Sequence, residues 1–165
     1  MTTSNEIPLL ILFLLSIAAT AALTYFITKK LNAGKNTIVL PLKLQAHERL
    51  ILFLERISLS NLLIRENGAD LNVLAYQQQL LSTIRQEYNH NLSQQIYVSQ
   101  VAWAAITRAM TQTAGSINQA AAGLDLNEPA IELSKRSLET LISANANPTD
   151  VALQILRDDV EKLIG

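Results

Sequence analysis

The run "IPLLILFLLSIAATAALTYFI", Ile7 to Ile27, constrains this chain more than any other feature. Its 21 residues carry no charge. As a helix they would span ~31 Å, about the hydrocarbon thickness of a bilayer. Apolar residues cover every face, which fits poorly with a core helix that keeps one face in water. A cleaved signal peptide wants a basic start. Here the start is "MTTSNE", with Glu6 as its only charged side chain. The basic residues lie after the run instead: Lys29, Lys30, Lys35 and Lys43. The positive-inside rule then places residues 1–6 outside, a transmembrane helix at 7–28 and the rest in the cytoplasm. Tyr25 and Phe26 suit the cytoplasmic interface, where aromatic rings are enriched. The expected location is the cytoplasmic (inner) membrane, single-pass, with the lipid bilayer as first partner.

After the span, "KKLNAGKNTIVLPLK" reads as a juxtamembrane linker, residues 29–41, with Gly34 and Pro41 as breakers. A cytoplasmic domain, residues 42–165, should come next. Its first helix is expected from about Leu42 to Ser58, with Ala46, Leu50, Phe53, Leu54 and Ile57 at helical spacing. Glu48-Arg49 and Glu55-Arg56 repeat seven residues apart and so share a side. Asn67-Gly68 signals a turn, and Asp70 suits a helix cap.

Between Gly68 and Gly115 there is neither Gly nor Pro. Val73, Leu80, Ile84, Tyr88, Leu92, Ile96, Ser99, Trp103, Ile106, Met110 and Ile117 keep to helical steps. That phase predicts one long helix from about Asp70 to Ala122, with a break near Asn91–Ser93 as the alternative. Alanines 102, 105, 109, 114, 120, 121 and 122 make it thin in places, which lets another helix approach, from this chain or a second copy. Gly123 is a stop signal. Asn127 with Glu128-Pro129 starts another helix, with Ile131, Leu138, Leu141 and Ile142 as its apolar face. Asn147 caps the last helix and Pro148 begins it, with Ala152, Ile155, Leu156, Val160 and Leu163 facing inward. The expected fold class is all-α: one transmembrane helix, then a cytoplasmic helical hairpin or bundle, coiled-coil in character, containing one long helix.

Together, "LQAHERLILFLERIS", "IRQEYNHNLSQQIYVS" with Trp103 soon after, and "NPTDVALQILRDDVEKLI" resemble a family of small uncharacterised Bacteroidota proteins. The resemblance is strongest at residues 44–58 and 85–103. It implies an N-terminal membrane segment before a helical cytoplasmic region, and it carries no assigned activity and no catalytic residues. In that family an aromatic is common where this chain has His47, which weakens His47 as a metal ligand.

The chemical inventory is spare. The chain has 13 Lys and Arg against 14 Asp and Glu, so no basic surface for nucleic acid is expected. It has no cysteine, which excludes disulfides, thiolate metal sites and cysteine nucleophiles. No phosphate-binding loop, nucleophile elbow or zinc-protease motif occurs. Glu87-x-x-His90 is half of a di-metal signature, but such sites need a second copy and two more carboxylates. Only two histidines are present, and His47 lacks the matching glutamate. Glu87 and His90 are therefore weak metal candidates, and no cofactor is expected. In a continuous helix, Glu87, His90, Asn91, Gln94 and Tyr97 would form one polar stripe beside the apolar one. Such a stripe suits a semi-buried helix seam, with Arg49 or Arg56 as partner for Glu87 and Trp103 as a core residue. The expected function is a membrane-anchored, non-enzymatic scaffold or adaptor that binds itself or another inner-membrane or cytoplasmic protein. The alternative is a metal-binding or hydrolytic enzyme centred on Glu87 and His90.

Overall fold

Helix α1 runs Glu6–Ile57, 52 residues, with Gly34 and Pro41 inside it. The computed structural model of the chain describes residues 6–144 and 146–165, with side chains at 11–30 and from 39 on, residue 145 excepted. Gly34 and Pro41 are thus not breakers, a correction to the sequence reading. Proline removes one backbone donor, which a long helix survives when its neighbours keep theirs. The described residues form six α-helices and one 3₁₀ helix. The chain divides into two compact units, Met1–Pro41 and Leu42–Gly165.

In the first unit, Ile11–Lys30 is long and apolar enough to cross a membrane, with a mean hydropathy of 2.1 and none of the window buried. Ser16, Thr20, Thr24 and Thr28 turn their hydroxyls back onto helix carbonyls three or four residues earlier. Each thereby satisfies its own donor within the helix, which an apolar setting requires.

The second unit is a helical bundle. Ala46, Leu50, Phe53, Leu54 and Ile57, the predicted inner face of α1, are all buried. Helix α2 is Leu59–Arg65, α3 Val73–Asn91, α4 Gln100–Ala121, α5 Ala130–Ala144 and α6 Asp150–Ile164. Helix α4 packs against α3, α5 and α6. Its Ala102, Ala109, Ala120 and Ala121 are buried, so the thin face predicted there serves packing within the chain. The starts of α3 and α5 are stitched together: Val73 N donates to Glu128 O at 2.8 Å and Ala130 N to Leu71 O at 3.0 Å. Asn72 rather than Asp70 caps α3, accepting from Ala75 N at 2.9 Å.

The predicted continuous helix 70–122 is broken. Residues Leu92–Tyr97 wind as a 3₁₀ helix, Val98 is extended, and Ser99 starts α4 afresh by accepting from Ala102 N at 3.1 Å. Asn91 turns its side chain onto Glu87 O at 2.9 Å, the local competition that makes Asn a poor helix-interior residue. The chain folds back, and α3 lies against α4. Helix α5 also departs from expectation. Its buried face is Ala130, Leu133 and Ser137, while Ile131, Leu138 and Ile142 are exposed. Leu141 packs half-buried against the core, so the inner face follows Ala130, Leu133, Ser137 and Leu141, and of the expected face only Leu141 lies on it. Thr149 takes the capping position of α6, so Asn147 and Pro148 precede that helix.

Candidate functional site

A groove of about 500 Å³ lies between α1 and α3. It is lined by Arg49, Arg56, Glu87, His90 and Asn91, with Leu52 and Phe53 as its apolar floor. Helical spacing explains the gathering. Arg49 and Arg56 are seven residues apart on α1, and Glu87 and His90 are three apart on α3, so each pair shares a face.

Glu87 pairs with Arg56. Arg56 Nε donates to Glu87 Oε1 at 2.7 Å and its Nη2 lies at 2.6 Å from the same oxygen. Arg65 at the end of α2 approaches that oxygen at 3.8 Å and pairs more closely with Glu66, at 3.2 Å. The Glu87 side chain is 17% exposed and that of Arg56 54%. Arg65 was not foreseen, and its only sequence signal is that α2 ends in Arg65-Glu66. An oxygen held by one guanidinium and approached by a second is already engaged and poorly placed to ligate a metal. Among the described residues no three His, Cys, Asp or Glu side chains gather closely enough to hold a metal ion.

The expected single stripe is split by the break. Arg49, Arg56, Glu87, His90 and Asn91 share the groove. Asn91 is buried and His90 is exposed. Gln94 is buried on the 3₁₀ helix and donates to Ser93 Oγ at 3.1 Å. Tyr97 borders a different cavity, with His47. Trp103 joins an aromatic cluster, stacked on Tyr88 at 5.7 Å between ring centroids, and Phe53 lies 6.1 Å from Tyr88. That cluster ties α1, α3 and α4 together directly beside the Arg56–Glu87 pair.

Comparison with curated proteins and with solved structures finds no match to the chain. A family model, described as a family of unknown function (DUF7935), matches residues 5–163. The match takes in the apolar N-terminal helix, the groove and all six α-helices, so the chain belongs to the DUF7935 family of unknown function.

Proposed function

We propose that this chain is a single-pass membrane protein whose helical domain, residues 42–165, lies in the cytoplasm and acts as a non-enzymatic adaptor for another protein or a second copy. The observation that carries this reading is the apolar window Ile11–Lys30, none of which is buried in the chain's own fold. Leu12, Phe13 and Leu15 are each more than 60% exposed. Burying an apolar side chain is worth roughly 1.5–3 kcal/mol, so a helix exposed to this extent needs an apolar surrounding from elsewhere. Lys29, Lys30 and Lys35 at the C-terminal end of the window favour the cytoplasmic side for residues 42–165. The adaptor role is supported by the groove, where Arg56 is paired with Glu87 and Leu52 stands 54% exposed beside them. Alkaline carbonate extraction and metal analysis of the purified chain test this reading. Retention in the membrane pellet without stoichiometric metal is the expected result. Stoichiometric Fe, Mn or Zn that disappears in His90→Ala would replace it with a metal-dependent activity at Glu87 and His90.

A further inference from the structure

The second cavity of interest, about 330 Å³, opens between α1, the 3₁₀ helix and the end of α6. Lys43, His47, Tyr97, Ser99, Asp159 and Lys162 supply its polar lining. Ile96, Val98 and Leu163 supply an apolar wall. His47 is only 2% exposed. Its Nδ1 lies 2.7 Å from Lys43 O. A carbonyl only accepts, so Nδ1 donates to it, and Nε2 is the ring nitrogen left to meet another partner. That Nε2 is buried without a hydrogen-bond partner. Buried polar atoms are nearly always paired, so an orphaned ring nitrogen on a residue that borders a cavity points to a partner supplied from outside the chain.

The charges narrow the choice. Asp159 accepts from Ser99 Oγ at 2.7 Å, and Lys162 Nζ stands 3.7 Å from its other oxygen. The ammonium of Lys43 has no carboxylate within salt-bridge distance among the described residues. Two ammonium groups against one carboxylate leave net positive charge, which favours an anion. Ile96, 74% exposed on the same cavity, adds an apolar strip beside the charged end. The volume is at the small end of ligand pockets, which run to roughly 300–1,000 Å³, and it suits a headgroup rather than a whole lipid.

We infer that this cavity binds a phosphate ester bearing a free hydroxyl. Its anionic oxygens face Lys43 and Lys162, its hydroxyl pairs with His47 Nε2, and any apolar substituent lies along Ile96 and Leu163. A lipid headgroup and a soluble phosphate ester share this chemistry. The inference does not depend on the adaptor reading.

The test uses the full chain in a neutral detergent, titrated calorimetrically with three probes. These are short-chain phosphatidylglycerol, glycerol phosphate and short-chain phosphatidylcholine, which lacks both the net charge and the hydroxyl. The expected result is saturable binding of one or both of the first two and none of the third. Tighter binding of phosphatidylglycerol assigns a lipid, and equal binding assigns a soluble ester. Lys162→Gln should weaken binding about tenfold or more, the loss expected for a charge-assisted contact. The Lys162 side chain is 75% exposed, so the variant keeps its fold. Binding of phosphatidylcholine, no saturable binding of either ester, or unchanged affinity in both Lys162→Gln and Lys43→Gln would overturn the inference.

Discussion

At the scale of single residues, Glu87 and Gly68 show how much of this fold rests on close approach. Glu87 could have met Arg49 or Arg56 by sequence spacing, since the two arginines share one helical face. Only the separation in space decides, and Arg56 is the partner. A double-mutant cycle of Glu87→Gln with Arg56→Gln should therefore give a coupling of ~0.5–1 kcal/mol, the range for partly exposed pairs. The same cycle with Arg49→Gln should give none. Chemical unfolding of the purified chain reads both. Gly68 has a different constraint. A Cβ added there would stand 2.8 and 2.9 Å from the Tyr76 ring and 3.0 Å from the Ala130 methyl. The ring is fully buried and its hydroxyl donates to Glu66 O at 3.0 Å, so it cannot step aside. Gly68→Ala should cost ~1–3 kcal/mol by overpacking, seen as a lower unfolding midpoint. Burial also raises the Tyr76 phenol above its ordinary value of 10.0, with the Glu66 carboxylate adding to the rise and Ser134 opposing it. The folded state thus favours the neutral phenol. That contribution is complete below pH 10.0 and disappears as pH climbs through the higher folded value. Alkaline unfolding monitored by tyrosinate absorbance should be shallower in Tyr76→Phe than in the parent above that pH.

Elements were legible where one face alternates cleanly with another. The inner face of α1, from Ala46 to Ile57, can be read from its spacing because large apolar residues recur there and Glu48-Arg49 and Glu55-Arg56 mark the other side. In helix α5 the expected face held at Leu141 but not at Ile131, Leu138 and Ile142, which outweigh the buried Ala130 and Ser137 in hydropathy. Ala130 and Ser137 share the inner face with the large Leu133, and hydropathy alone does not pick that face over the adjoining one. The break after Asn91 was hidden for another reason. A 3₁₀ helix turns about 120° per residue and an α-helix about 100°, so the step of four from Leu92 to Ile96 keeps one face only in an α-helix, and the spacing does not reveal which helix forms. Even the extended Val98 leaves Ser99 and Trp103 four apart. One consequence separates the broken from the continuous form. Tyr88 and Trp103 would lie ~22 Å apart along a single helix. Here their rings are 5.7 Å apart and stacked. Tyr88→Leu should change the near-ultraviolet circular dichroism of Trp103 while leaving the far-ultraviolet helix signal intact. An unchanged tryptophan band would restore the continuous helix. The start of α4 should also be sensitive, since Ser99 both caps it and donates to Asp159 at 2.7 Å. Ser99→Ala should lower stability by ~1 kcal/mol, the usual cost of a lost cap.

At the scale of the whole molecule, the sequence showed the class of fold and the apolar N-terminal helix, because both depend on composition over tens of residues. It placed the long helix wrongly: the 52-residue helix is α1, not residues 70–122. The groove residues could largely be named from helical spacing, yet the cavity beside His47 could not. A lone histidine on an apolar helix face gives no hint of what other segments bring to it. The central claim is that the N-terminal helix spans a membrane and leaves residues 42–165 in the cytoplasm. The absence of cysteine makes this claim directly measurable, since any thiol introduced is the only one. Thr3→Cys and Gly165→Cys should be labelled separately in intact cells with a membrane-impermeant maleimide. The account predicts labelling of Thr3→Cys before lysis and of Gly165→Cys only after it. Labelling of Gly165→Cys in intact cells, or loss of the Thr3→Cys tag through cleavage after the apolar run, would contradict it.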